Sequence, residues 1–137
     1  LVEQLTAVRE AHERDRGRAG SLSLIPRRQR RHLNAQFLYL GSPADVLLHP
    51  ADAAAAGVAD GQQVLVRSAR GEIVGTAHVD PAIRPGVVSV PHGHEHANVN
   101  LLTSTQDVDP LTGMTHYSGI QVSVHPIPAN PVASGQI

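Results

Sequence analysis

Four arginines fall within five positions, Arg27, Arg28, Arg30 and Arg31, and Asn34 follows three residues later. Guanidinium forks pair with phosphate oxygens, and an asparagine amide both donates and accepts, so this stretch suits a phosphorylated ligand. A solvated basic linker is the plainer reading of the same residues. A nucleic-acid patch is a third, although Phe37, Tyr39 and Tyr117 are the only aromatics available for stacking bases. Further on, His92, His94 and His96 alternate. On a strand they would share one side, as a metal site needs. Glu95 would then point away and no thiolate exists, so no metal site is assigned, and His94 and His96 are expected to be exposed. Asn98 and Asn100, two apart, would face the same side of an extended segment; the alternative is a loop whose asparagines cap turns. Nothing pairs a nucleophile with a base, so no catalytic residue is assigned.

The composition narrows the classes. With no cysteine, disulfides, iron–sulfur ligation, thiolate zinc sites and a cysteine nucleophile are all excluded. A length of 137 residues suits one domain, with an aliphatic core because aromatics are so few. No apolar run is long enough to span a membrane, and the first residues hold no apolar signal core. The chain opens at Leu1 and is expected to be a piece of something longer, so an upstream signal stays open; a cytoplasmic location is the expectation. Before residue 35 there are eight arginines and four acids, and after it three arginines and eight acids, with no lysine anywhere. The basic charge is therefore concentrated ahead of the main body.

Short, punctuated elements must position these residues. Val2, Leu5 and Val8 predict a helix over 1–12, followed by a charged, glycine-punctuated linker to residue 20. Strands are predicted over 22–25, 46–48, 63–68, 73–79 and 87–90, with Ile120, Val122 and Val124 alternating in a last one. His49-Pro50 starts a short helix over 51–56, Asp52 lies in its first turn, and Gly57 is a left-handed stop. Asp60-Gly61 and Pro85-Gly86 are turns, and Arg70-Gly71 is a hairpin tip with glycine taking a positive φ. The tail from 126 to 137, rich in proline, is expected to be disordered. The pattern predicts a closed, mainly β barrel with one or two short helices, over residues 21–125.

Three stretches, in order and spacing, resemble one known family: LIPRRQRRHLNAQ (24–36), HPADAAAAGVADGQQVLVRSARGEI (49–73) with IRPGVVSVPHG (83–93), and ANVNLLTSTQDVDPLTG (97–113). Together they are similar to the molybdopterin dinucleotide-binding domain that closes the chain of dimethyl-sulfoxide-reductase superfamily enzymes, formate dehydrogenases and nitrate reductases among them. The likeness runs from Leu22 to Val124. It implies a double-psi β-barrel that binds molybdopterin guanine dinucleotide carrying molybdenum or tungsten, with the metal's protein ligand elsewhere. The remaining domains of a parent oxidoreductase would be the partners, the isolated chain would not be catalytic, and no nucleic acid is expected. The LIPRRQ-type start leans toward formate dehydrogenase-like or nitrate reductase-like relatives.

By the same resemblance, the cofactor contacts fall at Arg27, Arg28, Asn34, His92, Gly93, Asn98, Asn100 and Tyr117. Pro26 stands where relatives often have glycine. Tyr117-Ser118 stands where many relatives carry an aromatic followed by lysine, so a lysine contact is not available. The reading from another class is a barrel that binds protein or nucleic acid through its basic arm, which salt-dependent binding would reveal.

Overall fold

The computed structural model describes residues 2–16, 20–31, 36, 41 and 43–128. Its strands are β1 (Leu22–Arg27), β2 (Asp45–Leu48), β3 (Gln63–Arg67), β4 (Glu72–Val79), β5 (Val87–Pro91) and β6 (Ile120–Pro126). They close a barrel in the order β1-β5-β2-β4-β3-β6. The pairs β1–β5 and β2–β4 are parallel, and antiparallel seams link them. This is the mainly β, double-psi barrel expected. Period-two patterning fills it: Leu22 and Leu24, Val46 and Leu48, Val64 and Val66, Ile73 and Ala77, Val88 and Val90, Val122 and Val124 are all buried. Closure leaves no long unpaired sheet edge to protect.

Helix α2 (Pro50–Ala56) is capped as its sequence demands. His49 Nδ1 accepts from the Ala51 N–H at 3.1 Å, Pro50 opens the first turn, and Gly57 closes it at φ 68°. Asp52, placed for the helix dipole, also accepts from the Gly86 N–H at 2.7 Å and so ties α2 to the turn before β5. Helix α1 (Val2–Arg16) runs four residues past the expected end, because the charged stretch after His12 holds no helix breaker before Gly17.

Two expectations about turns and ends need correction. Gly71 does not take a positive φ. The hairpin tip is instead held by Ser68, whose hydroxyl accepts from Arg70 N at 3.0 Å and Gly71 N at 3.2 Å. Glycine is required there for another reason: a Cβ would collide with the Leu101 carbonyl oxygen. The proline-rich end is also ordered for longer than expected. β6 reaches Pro126, and the Ile127 N–H donates to Gln63 O at 2.9 Å. Pro126 stands opposite Val64, in a ladder position whose nitrogen turns away from β3, so its missing N–H costs the strand nothing. The tail from residue 129 lies outside the described residues.

Gly57→Val forces a β-branched residue to positive φ and is expected to cost about 1–2 kcal/mol. Gly71→Ala drives a methyl against backbone and is expected to cost about 1–3 kcal/mol. Thermal unfolding followed by circular dichroism measures both; a Gly71→Ala protein as stable as the original would mean that Leu101 does not pack on the hairpin.

Candidate functional site

Strand directions bring the site residues together. β1 and β5 run parallel, so Arg27-Arg28 and His92-Gly93 leave the barrel at the same end. β2 is antiparallel to β5 and β6 antiparallel to β1, so Asp45 and the chain entering β6 through Tyr117 begin there too. The β3–β4 hairpin turns at that end, and a one-turn 3₁₀ helix, Val99–Leu102, lies against its tip. Residues far apart in sequence thus form one rim.

Arg27 is a clasp on this rim. β2 pairs with β5 only at Leu47↔Ser89 and Leu48↔Val88, so their seam opens toward the rim. The Arg27 guanidinium donates to Ser89 O at 2.6 Å and Asp45 O at 2.7 Å, bridging the opening. Burial lowers its pKa and Asp45 opposes that shift, and the group stays charged. Two of its five N–H groups are therefore committed to backbone. Arg28, the next residue, is exposed.

The ladder continues one step beyond the strands, with the His92 N–H donating to Arg27 O at 3.0 Å. This sets the imidazole near Arg28 and against Tyr117, the two rings stacking at 5.3 Å and 30°. Partial burial, then the positive charge of Arg28, lowers the His92 pKa, so the ring is held toward its neutral form. Gly93 follows at φ 81° and turns the chain away. β5 ends at Pro91, so the three histidines do not share a strand face as a metal site would need. His94 turns back to Gln29, 3.0 Å from its Oε1, and is only partly exposed; His96 is exposed as expected. Gln29 in turn donates to Pro43 O at 2.6 Å, pinning the basic loop to the approach of β2.

Asn98 and Asn100 do not lie on an extended segment. Asn98 caps the 3₁₀ helix, its Oδ1 accepting from the Asn100 N–H at 3.1 Å. Val99 and Leu102, three apart, share one side of the turn and are both buried, which favours this conformation. The Asn100 side chain is exposed, and its amide makes no hydrogen bond among the described residues. Asn34 lies outside the described residues. A groove on the same rim, unmarked by any motif, is lined by Ser68, Arg70, Leu102, Ser104 and Asp107. Arg70 reaches across it to Gln106 Oε1 at 3.4 Å. The only signal for it in the sequence was an arginine at a hairpin tip.

Comparison with known proteins agrees with this geometry. Residues 22–121 match the family described as molydopterin dinucleotide binding domain. Biotin sulfoxide reductase of Cereibacter sphaeroides is 34% identical over 57% of this chain and 12% of its own length. F420-dependent formate dehydrogenase 1 subunit alpha of Methanococcus maripaludis is 34% identical over 60% of this chain and 12% of its own. The chain thus spans about an eighth of these relatives. The structure of acetylene hydratase from Pelobacter acetylenicus superimposes with a TM-score of 0.70 at 19% identity, over 87% of this chain and 19% of that one, a likeness of fold.

Arg27→Ala removes two charge-assisted hydrogen bonds from part-buried carbonyls and is expected to cost about 1–3 kcal/mol, while Arg28→Ala leaves the melting temperature unchanged. The His92 imidazole, followed by NMR, should titrate below 6.5 and move upward, though not past it, in Arg28→Ala. Because its folded pKa is depressed, stability from this group is full above about pH 6.5 and falls as pH drops toward the folded value. An unchanged His92 titration in Arg28→Ala would separate the two side chains.

Proposed function

Because the chain belongs to the molydopterin dinucleotide-binding domain family, we propose that its barrel rim holds the phosphorylated end of molybdopterin guanine dinucleotide for a larger molybdenum or tungsten oxidoreductase. The observation that carries the residue assignment is the convergence of an exposed arginine, a neutral stacked imidazole and an unengaged asparagine amide on one rim. These groups fit the ligand. The Arg28 guanidinium makes no hydrogen bond among the described residues, and its fork suits phosphate oxygens. The Asn100 amide can donate to and accept from a heterocycle edge. The left-handed turn at Gly93 keeps the β5 exit free of a side chain.

Arg27 sets the position of Arg28 by fixing the end of β1, and its three other N–H groups are those it would offer the ligand. The stacked His92–Tyr117 pair offers a flat face beside Arg28. Asn98 acts through its cap, which holds Asn100 outward. Asn34 joins the set by family resemblance. Metal-centred redox chemistry comes with the bound cofactor, while this chain binds and orients it. The metal's protein ligand belongs to the rest of the enzyme, which contributes the remaining domains.

We place the parent among formate dehydrogenase-like or nitrate reductase-like enzymes on the Leu24-Ile25-x-Arg27-Arg28 start, and the formate dehydrogenase relative supports that reading. The cysteine-free sequence suits the reducing cytoplasm. Among the described residues no helix is long and apolar enough to cross a membrane.

The test is molybdenum or tungsten per protein in purified oxidoreductase variants. Arg28→Ala and Asn100→Ala should each weaken cofactor retention, the arginine by roughly ten- to hundredfold for a lost charge-assisted bond of about 1.5–3 kcal/mol. Arg84→Ala removes the same charge from the turn at the opposite end of the barrel and should keep full metal content. A patch that binds nucleic acid predicts that Asn100 contributes nothing. Full occupancy in both Arg28→Ala and Asn100→Ala would sink the assignment of the rim.

A further inference from the structure

Between the 3₁₀ helix and β6 the chain builds a small hairpin, residues 107–116, whose hydrogen bonds among the described residues are internal. It is braced from within. The Asp109 carboxylate accepts from Leu111 N at 2.9 Å, Thr112 N at 2.7 Å and Thr112 Oγ1 at 3.0 Å. Backbone bonds run from Asp109 N to Met114 O and from Gly113 N to Asp109 O, both 2.8 Å, and Gly113 takes φ 70°. Val108 bridges Thr115, and at the base His116 Nδ1 lies 2.9 Å from Asp107 Oδ1. The Thr112 donors hold the Asp109 carboxyl below its usual range, which keeps it an acceptor at neutral pH.

All this order presents apolar side chains to solvent. Leu111 is 87% exposed and Met114 69% exposed, with Val108 beside them. Loops that merely connect elements are polar at their tips, and fixing a loop costs conformational entropy that exposed leucine and methionine do not offset. An ordered apolar tip is explained when a partner covers it.

We propose that this hairpin is a docking knob that inserts Leu111 and Met114 into an apolar socket on the rest of the oxidoreductase. The inference rests on the proposed function. Three observations choose that occupant. The curated relatives carry about seven-eighths of their length outside the matched region, a body large enough to supply a socket. The hairpin leads directly into Tyr117, so it stands on the rim where the cofactor and the rest of the enzyme must meet the barrel. Its charged residues are Asp107, Asp109 and the titratable His116, a set that does not suit an anionic lipid surface.

Met114 is the only methionine in the chain, which makes it a clean probe. Dilute hydrogen peroxide transfers one oxygen to its thioether and leaves water, and mass spectrometry reads the sulfoxide. In this chain alone, which closes its own barrel, Met114 should oxidise as fast as methionine in an unstructured peptide. In the purified oxidoreductase it should react at least tenfold more slowly, and equally slowly in enzyme prepared without metal. Leu111→Asp should leave the melting temperature of the isolated chain unchanged and restore fast oxidation of Met114 in the enzyme. Fast oxidation in metal-loaded enzyme overturns the docking knob and leaves the cofactor reading intact. Protection lost with the metal also overturns it, because the cofactor would then be the cover. So does protection in the isolated chain that grows with concentration, which would mean a second copy.

Discussion

The rim depends on one guanidinium. A six-stranded barrel must close every seam, and the β2–β5 ladder stops at Leu47↔Ser89 because the register next sets Asp45 opposite Pro91, which has no N–H to give. The Asp45 carbonyl at that gap would otherwise lack its ladder donor in a partly buried setting, a costly arrangement, and the Ser89 carbonyl beside it has a second lone pair to offer. Arg27 satisfies both with its planar fork, which one ammonium does not match in geometry. The clasp fixes the end of β1 against β5 and β2 together, and everything bonded to that end inherits its position. The His92 N–H is held by the Arg27 carbonyl, and Arg28 emerges from the next residue.

Barrel topology turns this local clasp into the organiser of a shared rim. In a mixed barrel, parallel neighbours release their chains at the same end, so β1 and β5 deliver a basic loop and a histidine loop side by side. The antiparallel partners bring the start of β6, and Tyr117 with it, to the same place. The opposite end carries the turns around Asp60 and Asp80, where carboxylates accept from backbone N–H groups and are spent on structure. The rim differs from that end in what it gathers: Arg27, Arg28 and Arg70 stand on it with the exposed side chain of Asn100.

Glycine and asparagine contribute to that surface by close packing as much as by chemistry. The missing Cβ of Gly71 lets the Leu101 carbonyl rest on the β3–β4 hairpin, and this contact seats the 3₁₀ helix. Asn98 then spends its oxygen on the helix start, and its neighbour two residues on is left facing outward. One asparagine thus positions the other, although the two read alike in sequence.

The sequence by itself determined the barrel strands, helix α2 with its caps and the aliphatic core, because these follow from local periodicity and from the backbone preferences of proline and glycine. Resemblance to a family carried the choice of ligand, since no spacing of arginine and asparagine distinguishes a dinucleotide from another phosphate. Only the tertiary structure decided which of two adjacent arginines is a clasp and which is exposed, because that depends on where the β2–β5 seam runs out, a matter of register between strands about 40 residues apart in the chain. It likewise decided that the histidines leave the strand at Pro91, that Asn98 caps a turn, and that Gly71 serves a close approach. Each of these is a contact across the chain, and the same residue types would satisfy a local pattern in another way.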